Sequence, residues 1–157
     1  MYDRFDAPPE FVYPENGLFK LRDLLSEEQI RNPNNKTPEG DPVRRIIKRG
    51  FKTLTTVGGL SGFLSHVRRY FVTGNIDSIE AAIFPRSNGS GPFSRRGDSG
   101  SIIVDAMRRF VALLTGGAGK TDASDITFGT PMHWLWLVIL AKFPDAKLYW
   151  DDEDVAA

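Results

Sequence analysis

Short apolar runs, each interrupted by glycine, serine or asparagine, dominate the chain from residue 43 to residue 130. The runs are rich in Val, Ile, Thr and Phe, which favour strands, and the residues between them favour turns. Regularly spaced short strands of this kind are typical of an antiparallel barrel or sandwich. The pattern predicts strands over residues 43–48, 51–57, 62–72, 76–84, 101–106, 110–115 and 125–128.

The two ends of the chain differ from this strand-rich middle. Residues 1–42 contain repeated prolines and a loop-like stretch over 32–42, which predicts a Pro-rich N-terminal extension. Within it, Ser26-Glu-Glu-Gln29 has the spacing of a capping box and favours one short helix over 18–31. The unbroken apolar run after Pro131 predicts a C-terminal helix over 132–143. We therefore expect an extension over 1–42, a barrel with its C-terminal helix over 43–150, and an acidic tail over 151–157.

Composition narrows the class of protein. The 157 residues include no cysteine and only two histidines, His66 and His133, so a disulfide framework is excluded and a structural zinc site is not expected. We predict no metal and no cofactor.

The longest apolar run has eight residues, 134–141, whereas a membrane-spanning helix needs about 20. The amino-terminal residues do not resemble a secretory signal, which predicts a cytoplasmic protein without a membrane partner.

Charge is balanced overall but segregated along the chain. Residues 43–109 carry 12 basic and 4 acidic groups, whereas acidic groups outnumber basic ones on either side. A basic middle is able to face an anionic polymer or the acidic ends of its own chain. Because its arginines are scattered through predicted strands without interleaved aromatic residues, we expect no nucleic-acid partner.

The strongest chemical signal is the segment Gly97-Asp98-Ser99-Gly100-Ser101, which directly precedes a predicted strand. Acyl transfer needs a hydroxyl held at a tight turn, with backbone N–H groups directed at the developing negative charge. Glycines on both sides of Ser99 would let a carbonyl approach it. The alternative interpretation is a Gly/Asp/Ser turn without a function.

Four segments in order favour the first interpretation, namely 48–58, 93–101, 113–117 and 125–131. Together they resemble the trypsin-like serine peptidases of the chymotrypsin fold, the PA clan, and more narrowly a family of such domains in basidiomycete fungi. The resemblance covers residues 43–148. It implies an all-β fold, with a single antiparallel barrel of the chymotrypsin type.

The resemblance also implies roles for individual residues. Ser99 would be the nucleophile, the N–H groups of Gly97 and Ser99 would form the oxyanion hole, and Asp98 would support the loop through an internal polar contact. The remaining implied contacts are with substrate: they are made by Thr115, Gly116 and Gly117 on one strand, and by Phe93 as an apolar pocket base that suits no basic side chain.

The general base of such a peptidase is not evident. In this fold a histidine oriented by an aspartate activates the serine, and both precede it in the chain. Residues 1–65 contain no histidine, and the predicted strands span only 43–130, whereas two barrels need roughly 200 residues. The sequence therefore predicts the second barrel alone. His66 precedes Ser99 but lies on a predicted strand of the same barrel, and His133 opens the C-terminal helix.

Two functions stay open on these grounds. The chain is either a serine hydrolase completed by His66 or by a partner chain, or a non-catalytic module that binds a peptide or protein segment. Addition of a strand to an open sheet edge would be the binding mode of the second, with self-association as a further consequence. Because no base is evident, we expect the isolated chain not to be catalytically competent.

Overall fold

A computed structural model describes residues 20–37, 40–87, 89–119 and 125–148. These residues form seven strands and two helices in the order α1 (Glu27–Arg31), β1 (Asn35–Lys36), β2 (Pro42–Gly50), β3 (Leu54–Phe71), β4 (Gly74–Pro85), β5 (Ile102–Asp105), β6 (Phe110–Ala118), β7 (Ile126–Pro131) and α2 (Met132–Lys142). The predicted acidic tail lies outside the described residues. No helix in the described ranges is long and apolar enough to span a bilayer.

Six of the strands close into an antiparallel ring in the order β2, β3, β4, β7, β6 and β5. The ring closes where β5 pairs with β2, with Asp105 opposite Ile46 and Ile103 opposite Lys48. The short β1 pairs with β2 outside the ring. The prediction of an all-β fold with a single antiparallel barrel, an N-terminal arm and a C-terminal helix is confirmed, although the ring is not evenly round an axis.

The two strands predicted over 51–57 and 62–72 are one strand, so this part of the prediction was wrong. β3 runs for 18 residues, with a register shift against β4 between Leu60 and Leu64. Gly58 and Gly59 are buried within it, and a Cβ atom on either would lie 2.6 Å from the side chain of Phe93 or Val43, respectively. The glycines allow neighbouring side chains to approach the backbone closely and do not break the strand.

The helices correspond to the predicted ones with one change in length. The backbone N–H of Gln29 donates to Ser26 Oγ at 3.2 Å, and the backbone N–H of Ser26 donates to Gln29 Oε1 at 3.1 Å, which confirms the capping box. Because Ser26 is the N-cap, α1 begins at Glu27, and described residues 20–26 of the longer predicted helix are not helical. The backbone before it is bonded elsewhere, since the N–H of Leu25 donates to the carbonyl of Phe110 at 2.9 Å.

The core fills the ring and includes part of the predicted extension. Leu25 and Ile30 are fully buried and join the same apolar cluster as Ile46, Ile83 and Val111. Arg44 of β2 binds α1, because its guanidinium donates to the carbonyl of Gln29 at 2.9 Å. The described part of the arm is therefore packed against the barrel that carries Ser99.

Candidate functional site

The loop that carries Ser99 is a pair of tight turns directly before β5. The Asp98 N–H donates to the carbonyl of Arg95 at 3.0 Å, and the Ser101 N–H donates to the carbonyl of Asp98 at 3.1 Å. Gly97 has φ +106° and Gly100 has φ +84°, a left-handed conformation that costs other residues free energy. This backbone leaves the side chain of Ser99 exposed and places that of Asp98 in the interior.

Asp98 holds the loop against the hairpin between β2 and β3. Its Oδ1 accepts the backbone N–H groups of Lys52 at 2.6 Å and Thr53 at 3.1 Å. Its Oδ2 accepts the Thr53 hydroxyl at 2.7 Å and the backbone N–H of Arg95 at 3.0 Å. Burial favours a higher pKa for this carboxyl, but the hydrogen bonds from Thr53, Arg95 and Lys52 outweigh it and hold the pKa of Asp98 well below its usual value.

A buried lysine completes this polar cluster. Lys48 Nζ lies 3.4 Å from Asp98 Oδ2, and both side chains are fully buried. Burial lowers the pKa of Lys48, while the charge of Asp98 opposes that shift. The ammonium also lies 5.6 Å from the centre of the Phe93 ring. A buried ion pair between Lys48 and Asp98 therefore supports the Ser99 loop.

Ser99 opens into a cavity of about 310 Å³ that Gly116 and Gly117 of β6 also line. The loop is tied to this strand, because the Gly100 N–H donates to the carbonyl of Leu114 at 2.8 Å and the Leu114 N–H to that of Ser101 at 3.0 Å. Beyond Leu114, residues 116–118 pair with β7 on one side. No described strand pairs with their other side, so β6 has an open edge beside Ser99.

Two further residues that the resemblance implied do not line this cavity with their side chains. Thr115 lies between two lining residues, Leu114 and Gly116, but its hydroxyl lies 3.4 Å from Glu80 Oε2. Phe93 is 1% exposed and packs in the core, so its ring does not line the cavity either. Its backbone N–H instead donates to Asp125 Oδ2 at 3.1 Å.

Sequence patterns missed the four polar or charged side chains that line the cavity together with Ser99: Ser94, Arg95, Arg96 and Asp125. Arg95 and Arg96 belong to the motif that precedes the nucleophile, so their nearness in sequence to Ser99 was a usable signal. Asp125 lies 26 positions after Ser99, and only the pairing of β7 with β6 brings it to the cavity.

The structure places both histidines away from Ser99. His66 lies on the exposed face of β3, opposite Ile79 of β4, and His133 is the second residue of α2. Both line a second cavity, of about 670 Å³, to which Ser99 does not contribute. The described part of the chain therefore brings no imidazole to the Ser99 cavity.

Two other kinds of functional site would be a metal centre and a basic surface. The described ranges contain no group of three or more His, Asp or Glu side chains that could hold a metal ion. Some basic residues of the middle segment pair with acidic residues of that same segment, as in the pairs Arg68–Asp77 at 2.7 Å and Arg44–Asp105 at 3.7 Å.

Comparisons with known proteins give structural likenesses but no match in sequence. No protein-family model and no curated protein matches the sequence. Among solved structures, a chymotrypsin of Cellulomonas bogoriensis is similar, with 19% sequence identity, a TM-score of 0.44, and coverage of 70% of this chain and 50% of that one. The chain thus spans half the length of that protein. A likeness of this size describes the fold alone and gives no information about activity or about the fungal family.

Proposed function

We propose that this serine-peptidase-like domain binds an extended peptide along the open edge of β6, beside Ser99, and does not cleave it without help from another chain. The observation that supports it is the shared cavity of Ser99, Gly116 and Gly117, which neither histidine lines. A peptide strand added to this edge would gain main-chain hydrogen bonds, while the cavity would accept one of its side chains.

The absence of an imidazole from the described lining of the Ser99 cavity favours binding over hydrolysis. A serine hydroxyl is a weak nucleophile until a neighbouring group accepts its proton. Removal of the base in a serine peptidase leaves only a residual acceleration, roughly 10³–10⁴ over water, from the oxyanion hole and substrate binding. We therefore expect binding without measurable turnover by this chain alone.

A second candidate function is a hydrolase whose base comes from a partner chain. The Ser99 loop favours it, because four hydrogen bonds to Asp98 and the ion pair with Lys48 maintain its backbone. Such a preorganised loop would serve an oxyanion hole at Gly97 and Ser99.

Fluorescein-labelled casein tests both candidates, because it is an unfolded chain whose anisotropy reports binding and whose soluble fragments report cleavage. We expect saturable binding that is about tenfold weaker in Ser99→Tyr, which fills the cavity. Ser90→Tyr is the matched control, since Ser90 is exposed and lies outside the cavity. Equal binding by both variants would contradict the proposed site.

A fluorophosphonate probe then tests the state of the nucleophile. We expect no labelling of the wild type or of His66→Ala, since the described residues place no imidazole beside Ser99. Labelling that is absent in Ser99→Ala but present in the other two proteins would show an activated serine and would favour the hydrolase.

A further inference from the structure

The cavity that contains both histidines differs in chemistry from the cavity of Ser99. It lies between α1, the outer part of the β3–β4 hairpin and the start of α2, and it has a volume of about 670 Å³. Leu64, Ile79 and Trp134 contribute apolar walls, and three carboxylates line it as well. An apolar enclosure strengthens the electrostatic interactions of any charge inside it.

Two of the three carboxylates have their own guanidinium. Glu27 is 2.6 Å from Arg31, and Asp77 is 2.7 Å from Arg68. Both acids are about half exposed. Their charges are therefore compensated within the chain, and they give the cavity little net attraction for a ligand.

The third carboxylate, Glu80, has no such partner. It is 3% exposed, and its Oε2 accepts the hydroxyls of Thr130 at 3.1 Å and Thr115 at 3.4 Å. No cation of the described residues lies within ion-pair distance of it. The neighbouring Arg69 instead donates to the carbonyl of Thr115 at 3.2 Å. A buried carboxylate without a cation is costly, because it has lost its hydration without gaining an opposite charge.

A second polar group in the same cavity has an atom without a hydrogen-bond partner. His133 Nδ1 is buried and has no hydrogen-bond partner among the described residues. An imidazole nitrogen without a proton accepts hydrogen bonds, and an ammonium group supplies three donors and no acceptor. A cationic nitrogen would therefore meet the requirement of Glu80, and its N–H groups would bring donors into the cavity that His133 also lines.

From these observations we propose that this cavity binds an organic cation, an ammonium or guanidinium group carried on an apolar stem. The charged group would pair with Glu80, and the stem would lie against Ile76, which lines the cavity and shares a face of β4 with Glu80. The indole of Trp134 would add a cation–π contact. This inference does not depend on the proposed peptide site, because Ser99 does not line this cavity.

Titration with phenethylamine tests the proposal on the intact chain, with tryptophan fluorescence as the readout because Trp134 lines the cavity. The uncharged isostere 2-phenylethanol has the same stem without the charge. We expect saturable binding of the amine, with an affinity at least about tenfold higher than that of the alcohol. Equal affinities, or no saturable binding of the amine up to about 10 mM, would overturn it.

A series of carboxylate variants identifies the group responsible. Glu80→Gln should weaken amine binding by at least about tenfold, whereas Glu27→Gln and Asp77→Asn should change it by less than about threefold, because those acids are already paired. Wild-type affinity in Glu80→Gln would overturn the proposal. Should this variant fail to fold, the comparison of amine with alcohol on the wild type still decides the matter.

A further measurement distinguishes a cation carried by a protein from a small amine. A blocked tripeptide, acetyl-Gly-Lys-Gly-amide, presents the same ammonium on a lysine side chain. Tighter binding of the tripeptide than of phenethylamine would indicate a protein-borne cation, and the reverse order would indicate a small amine.

Discussion

Asp98 connects the Ser99 loop to the hairpin between β2 and β3. It accepts hydrogen bonds from residues that precede it by 45 and 46 positions and from Arg95, only three positions away. The Asp98 carboxylate itself is buried, so water screens its interactions little. The sequence motif indicated that Asp98 supports the loop, but it contained no information about Lys48 or Thr53 as its partners.

The Asp98–Lys48 pair should contribute strongly to stability, and its two members should contribute unequally. Asp98→Asn leaves the buried Lys48 uncompensated and should lower the free energy of unfolding by about 3–5 kcal/mol. Lys48→Met leaves Asp98 with its hydrogen-bond donors and should cost less, about 1–3 kcal/mol. Urea unfolding followed by tryptophan fluorescence measures both. A loss below about 1 kcal/mol in Asp98→Asn would contradict this account.

Stability should also depend on pH through Asp98. Its folded pKa is depressed, so the unfolded chain binds the proton more readily, with a pKa of about 3.9. The stabilisation is therefore fully present above that value and is lost as pH falls below it toward the lower folded pKa. We expect the urea midpoint to fall steeply below about pH 4 in the wild type and less steeply in Asp98→Asn. The exposed Asp145→Asn serves as control, and equal slopes in all three proteins would argue against this role.

At the scale of elements, glycines decide how closely strands and loops approach. Gly50 ends β2 directly against the Ser99 loop, where a Cβ atom would lie 2.6 Å from Asp98 Cγ. Because Asp98 is held by several hydrogen bonds, it cannot move aside cheaply. In the sequence, the glycines at 50, 58 and 59 indicate turns. Only the packed structure shows that they leave room for neighbouring side chains.

Gly50→Ala should therefore displace the loop. We expect a loss of about 1–3 kcal/mol in unfolding free energy from overpacking, together with weaker casein binding beside Ser99. Gly89→Ala is the matched control, since a Cβ atom there meets nothing within 4 Å. Unchanged stability and binding in Gly50→Ala would mean that the loop adjusts freely.

At the scale of the whole molecule, a closed ring carries a hairpin that extends beyond it. Residues 65–71 of β3 and 74–80 of β4 pair with each other and with no other described strand. The end of this hairpin exposes large apolar side chains, among them Tyr70, Phe71, Val72 and Ile76. Exposed strand edges with apolar residues favour pairing with another chain.

Self-association through this hairpin is the expected consequence. Sedimentation equilibrium should show a mass that rises with protein concentration. A double variant that carries both Val72→Lys and Ile76→Lys should reduce that rise. Phe51→Lys removes an equally exposed aromatic side chain at a different place and should have no effect. A monomeric wild type, or an equal effect of Phe51→Lys, would exclude the hairpin as the contact.

The sequence by itself determined the strand-rich middle, the capping box of α1, the extent of α2 and the tight turn around Ser99. These features follow from neighbours within a few positions, where periodicity and turn chemistry act. Only the tertiary structure decided that β3 is one strand, that both histidines share a cavity away from Ser99, and that Glu80 is buried without a cation. These outcomes depend on contacts such as Glu80 with Thr130, which lie 50 positions apart, and local patterns contain no information at that distance.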